Sequence, residues 1–219
     1  MGIDLDGSRI MADMTDRTTR RLSESNRVEA FSDGVFSIAI TLLVLELAIP
    51  VLRGEFMAQL VDEWVSYIAY LAAFGTIGVL WMGHHTVFSR IRAVDAGLLW
   101  RNLVLLLTVS VVPFPTAVIA SAFRVGTEHD QAAAVVSYAV VGMASGVAWL
   151  LLFTYLREHP ALVDPNTDPR FFRQTEPILT LVGYGISALI GWFVSPPAAL
   201  AIFLVFPALY VLRVRSADW

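Results

Sequence analysis

Apolar residues in this chain run in blocks of about twenty, the length of a helix that crosses a bilayer, and short polar links separate the blocks. The first block is Arg27 to Ile49, ending at Pro50. The others run roughly from Trp64 to Phe88, Gly97 to Ala120, Ala132 to Leu156, Glu176 to Val194 and Pro197 to Leu212. The links are Val51 to Glu63, a polar turn at Phe123 to Asp130, a stretch Arg157 to Gln174 broken by Pro160, Pro165 and Pro169, and Ser195-Pro196-Pro197. The pattern predicts an all-α integral membrane protein with six transmembrane helices. Residues 1–26 form a polar tail leading to a helix cap near Ser25 or Asn26, 27–213 the membrane domain, and 214–219 a second tail. The N-terminal tail has no apolar core segment of the kind a cleavable signal peptide needs. No internal repeat is evident.

Composition agrees. Of 219 residues, 57% are hydrophobic and only 16% charged, well away from the balance of a soluble domain. The chain has no cysteine, which excludes disulfides, iron–sulfur clusters and thiolate zinc sites. A net charge of −4 without a basic-aromatic patch gives no reason to expect nucleic acid as a partner. Every basic residue is arginine. Arg9, Arg17, Arg20, Arg21 and Arg27 precede the first helix, Arg90 and Arg92 follow the second, Arg157, Arg170 and Arg173 follow the fourth, and Arg213 and Arg215 follow the sixth. Only Arg53 and Arg124 fall on the other side, so both termini are expected in the cytoplasm, which requires an even number of spans. Arg101 lies close enough to that surface to snorkel or to pair.

The first helix holds polar groups that a plain anchor would not carry: Ser32, Asp33, Ser37 and Thr41. At about 100° per residue, Gly34, Ile38, Thr41, Leu42 and Leu45 share one stripe, and Asp33 lies about 140° from Ile38, toward a neighbouring helix. The stripe is either a packing seam or lipid face, or the wall of a narrow axial pore built from several copies.

The segment RVEAFSDGVFSIAITLLVLEL resembles the signature of the transmembrane-protein-175 family of potassium channels. Arg27, Phe31, Ser32, Asp33 and Phe36 match its Arg-x-x-x-Phe-Ser-Asp-x-x-Phe motif, and Ile38, Thr41, Leu42 and Leu45 match the run that follows. WMGHHTVF, Trp81 to Phe88, and WRNLVLLLTVSVVPFPT, Trp100 to Thr116, are also similar to that family. The resemblance implies a homotetramer around the first helix, a clamp role for Arg27, Ser32 and Asp33, and hydroxyl oxygens from Thr41 beside the constriction.

Asp33, His84, His85, Asp95 and Asn102 lie at the cytoplasmic side, with Arg27 and Arg101 at a similar depth, so a hydrogen-bonded network is expected there. In it Asp33 accepts from Ser, His, Trp81 or Arg donors, beside the motif residues Phe31, Ser32 and Phe36. The rival reading is a membrane-embedded metal-dependent enzyme using Asp33, His84 and His85. Adjacent histidines project about 100° apart, unlike the same-face pair of a helical zinc site. An ion-coupled carrier is a third possibility. The sequence Val182-Gly183-Tyr184-Gly185 matches the core of a carbonyl filter, but it sits in an unbroken apolar run with no pore helix before it. No helix carries arginine at every third position, so a voltage sensor is not expected.

A helix has no free carbonyls to offer an ion, so selection on the first helix falls to side chains. Rings of Ile38, Leu42 and Leu45 make a hydrophobic gate that favours potassium over the more tightly hydrated sodium. Glu46, Glu55, Asp62 and Glu63 either raise cation concentration at the outer mouth or are ordinary solvated charges. The expectation is a multi-pass plasma-membrane channel, not an enzyme. Its partners are its own copies, lipid and monovalent cations, and it needs no cofactor beyond the permeant potassium ion.

Overall fold

In the computed structural model, residues 24–47 and 56–216 are described, with the side chains of residue 206 and residues 208–216 set aside. The tail arginines before Glu24, Arg53, Glu55 and the residues after Ser216 lie outside them, as do the side chains of Arg213 and Arg215. The architecture is all helical. Helix α1 spans Glu24–Glu46, its last turn, Leu43–Glu46, being 3-10. A short α2, Phe56–Asp62, leads into α3, Trp64–Phe88. Then follow α4 (Ala96–Val111), α5 (Pro113–Val125), α6 (Glu128–Glu158), α7 (Thr175–Phe193) and α8 (Pro196–Ser216).

Among the described residues, five segments are long and apolar enough to cross a membrane: α1, α3, α4 with α5 as one 30-residue span, α6, and α7 with the turn before it. The apolar stretch Pro196–Val205 of α8 is shorter. This is a multi-pass membrane protein.

Local chemistry explains the boundaries. Asp95 caps α4 by accepting from the Leu98 N–H at 2.8 Å. Thr127 and Asp130 form a capping box that starts α6. Pro113 has no N–H for the Val109 carbonyl; Val112 N–H takes that carbonyl instead, at 3.1 Å, and α4 gives way to α5 there. Three expectations shift. The first helix extends back to at least Glu24, so Ser25 is no cap: it is 3% exposed and its hydroxyl donates to the Ile91 carbonyl at 3.0 Å. The expected turn at Phe123 shrinks to Gly126 and Thr127, because α5 runs to Val125. The link before α3 contains α2.

Two apolar clusters fill the bundle. One joins Phe36, Ala39 and Leu43 of α1 to α3, α5, α6, α7 and α8; the other gathers Phe88, Leu98, Leu105, Leu152 and Leu156 toward the arginine-rich end. There the α3–α4 and α6–α7 links clasp each other through an antiparallel bridge between Ile91 and Val163. Helices α6 and α7 share the most extensive contact, and small residues in the sequence Gly142-Met-Ala-Ser-Gly146 allow a close approach. A Cβ on Gly142 would sit 2.6 Å from the Tyr184 ring, and one on Gly146 would meet the Pro177 carbonyl at 3.3 Å. Small residues let the backbones approach where lipid offers no hydrophobic drive.

Gly142→Val is therefore expected to lower stability by about 1–3 kcal/mol through overpacking. Gly78→Ala, with nothing within 4 Å of the added carbon, should not lower it and should raise it by about 0.5–1 kcal/mol through helix propensity. Thermal melting of both variants in detergent checks this.

Candidate functional site: the first helix and its clamp

The stripe read from the sequence is the uncovered face of α1. In a single subunit Ile38 is 61% exposed, Leu42 42% and Leu45 73%, and Gly34 and Thr41 are exposed beside them. Nothing lies within 4 Å of a Cβ built on Gly34. The opposite face is held. Ser25, Ser32, Phe36, Ala39 and Leu43 are buried, and all fall about 100–160° from Ile38 on the wheel.

What holds it is a buried relay of hydrogen bonds across three helices. Asn102 Nδ2 of α4 donates to Ser32 Oγ of α1 at 3.0 Å, and Ser32 Oγ donates in turn to the Val28 carbonyl at 2.8 Å. Because the Asn102 amide nitrogen is thus committed, its Oδ1 is the acceptor for His84 of α3 at 2.9 Å, so His84 Nε2 carries the proton. The His84 ring is fully buried, stacked on Phe88 at 4.1 Å and tilted against Phe36 at 5.4 Å. Its Nδ1 is buried with no hydrogen-bond partner.

A more exposed layer adds to the grip. Trp81 Nε1 donates to Asp33 Oδ1 at 2.9 Å, so Asp33 does turn to a neighbouring helix. His85 meets Glu29 at 2.9 Å, and Trp81 stacks on His85 at 6.0 Å. Ser32 and Asp33 lie about 120° and −140° from Ile38, so the midpoint of the clamp is nearly opposite the open stripe.

Of the expected network, the structure brings together Ser32, Asp33, Phe36, Trp81, His84 and Asn102, with His85 reaching α1 through Glu29. Arg27 and Phe31 stand outside it: both are exposed, and Arg27 makes no hydrogen bond or ion pair among the described residues. Asp95 and Arg101 belong to a separate group. Tyr155 OH donates to Asp95 Oδ2 at 2.7 Å, and the Arg101 guanidinium lies 3.9 Å over the Tyr155 ring while donating to the Gly97 carbonyl. Slight burial raises the Asp95 carboxyl, but the hydrogen bonds from Leu98 and Tyr155 outweigh it and hold it below the usual carboxylate range. Sequence reasoning missed Glu29 and Ser25. Both sit on the face opposite the stripe, a signal the same wheel carries.

The two histidines are divided, one between phenyl rings and one toward Glu29. Among the described residues no group of three metal-ligating side chains gathers. Val182 to Gly185 is part of helix α7, with Tyr184 buried in the core, so its backbone is helical rather than a filter loop. Glu63 accepts from Ser66 and pairs with Arg124 at 3.3 Å, so it is at least partly a structural charge.

A family model described as "Endosomal/lysosomal potassium channel TMEM175" matches residues 27–113, the stretch that contains the stripe and all of the clamp. A potassium channel of Streptomyces collinus is 42% identical over 183 residues, covering 82% of this chain and 88% of that protein. The chain belongs to the TMEM175 family. A potassium channel of Chamaesiphon minutus is 41% identical over 147 residues, or 65% of this chain and 68% of that one. The crystal structure of a lysosomal potassium-selective TMEM175 homolog from Chamaesiphon minutus superposes with a TM-score of 0.74 at 31% identity, over 87% of this chain and 98% of that one. These TMEM175 relatives are channels, not enzymes.

Asn102→Leu leaves the His84 N–H and the Ser32 hydroxyl without their buried partner and should cost about 1–3 kcal/mol. Combining it with Ser32→Ala should cost less than the sum of the single changes, because both cut one relay. Melting temperatures of the four proteins in the cycle test this; strict additivity contradicts the relay.

Proposed function

We propose that this TMEM175 chain forms a homotetrameric, potassium-selective, cation-permeable channel of the plasma membrane. Each subunit contributes six helices, both termini lie in the cytoplasm, and α1 lines the pore. The observation that carries this reading is the one-sided burial of α1: its rear face is clamped by a buried polar relay while Ile38, Leu42 and Leu45 stand open. A closed ring is the economical way for identical ridges to cover one another. The relatives' names add that related chains conduct potassium.

Rings of Ile38, Leu42 and Leu45 constrict the path and dewet it when narrow, so a passing ion sheds part of its water. Potassium yields its shell more readily than sodium. Thr41 adds oxygen at that depth. Its hydroxyl lies 3.0 Å from the Ser37 carbonyl and 2.9 Å from the Ile38 carbonyl. With the proton directed at its own backbone, the lone pairs are left for a cation. Helical carbonyls take no part, so selectivity is real but more modest than that of a carbonyl filter. No resident cofactor is needed, because potassium is the cargo. Glu46 and Asp62 near the outer end attract cations to the mouth.

Ile38→Asn should wet the constriction and raise sodium permeation relative to potassium, and Thr41→Ala should lower the preference for potassium. Reversal potentials in planar bilayers read both. Because the chain has no cysteine of its own, Ile38→Cys and Leu45→Cys give clean tests of assembly. Oxidised samples should run as cross-linked dimers. Unchanged selectivity together with no cross-linking sinks the axial-stripe reading.

A further inference from the structure

A cavity of about 590 Å³ lies between α3, α6, α7 and α8. Its wall includes Val79 of α3, Val141 of α6, and Leu179, Val182 and Ile186 of α7. Polar groups are few: Glu176 and Thr180 near the start of α7, with Thr76, Tyr138 and Ser145 deeper in. From Glu176 to Ile186 the lining residues follow one another along α7 for about 15 Å, so the space is elongated along the membrane normal. Val182, Gly183 and Tyr184, the residues that mimic a filter in the sequence, form part of this wall.

Three observations decide what such a space holds. It lies within spanning helices, so its surroundings are hydrocarbon rather than water. Leu179, Val182 and Ile186 are each about half exposed on the outside of α7, so the mouth opens where acyl chains are. An empty apolar cavity of this size forfeits the dispersion contacts of its lining, and its volume is that of a ligand pocket. The end of the cavity at Glu176 lies at the arginine-rich end of the bundle.

We propose that this cavity binds one acyl chain of a bilayer phospholipid, with the chain along α7 from the Glu176 end toward Tyr138. The bound chain completes the packing of α7 against α3 and α6, independently of ion conduction through α1.

The test uses the assembled protein in nanodiscs of phosphatidylglycerol carrying dibrominated acyl chains. Bromine scattering is expected inside the cavity, and mass spectrometry of the protein after detergent extraction should find retained phospholipid in proportion to subunits. Val141→Trp, which fills the cavity, should abolish that retention. Leu189→Trp, on the exposed face of α7 outside the cavity, should leave it intact. A cavity free of bromine in the wild-type protein overturns the proposal whatever the variants do. So does equal retention in Val141→Trp, or a free fatty acid as the retained molecule.

Discussion

The chain of donors from His84 through Asn102 to Ser32 is the constraint on which the rest of the structure depends. In a membrane interior each of these groups is expensive to leave unpaired, so the relay forms only when α1, α3 and α4 share one depth and one rotation. A purely apolar contact would tolerate sliding and turning of α1, since leucine against leucine is nearly degenerate in register. A hydrogen bond of about 3 Å between side chains on different helices is not. Trp81 on Asp33 and His85 on Glu29 add a second, more exposed row of the same kind.

Rotation is where this matters for function. The residues that take part in the clamp lie opposite the Ile38 stripe, so fixing one face of α1 presents the other. The buried apolar residues Phe36, Ala39 and Leu43 continue the held face toward the far end of the helix, where the last turn tightens to 3-10. At the start of α1, Ser25 ties the helix to Ile91, which is itself bridged to Val163 in the link before α7. The helix is therefore fastened near its beginning, at its middle and along its length, always from the rear.

The remaining helices follow a different logic. Close approach of α6 and α7 comes from glycines, and the break in the third span comes from Pro113. Neither device needs polar groups, and two apolar clusters fill the bundle behind α1. The cavity beside α7 interrupts that packing.

Much of this was legible in the residues themselves. Blocks of about twenty apolar positions marked the spans because hydrocarbon thickness sets helix length, and α3 has the expected bounds, Trp64–Phe88. The stripe on α1 and the turn of Asp33 toward a neighbour follow from the helical period alone. The tertiary structure decided who partners whom. Depth agreement placed Asp33, Asp95, Arg101 and the histidines in one group, but the packing of α6 drew Asp95 and Arg101 to Tyr155, and the two histidines went to different partners. The sequence could not show this because periodicity fixes a residue's angle on its own helix, whereas a partner depends on how far that helix is shifted and rotated against another. Those two numbers exist only once the bundle has packed.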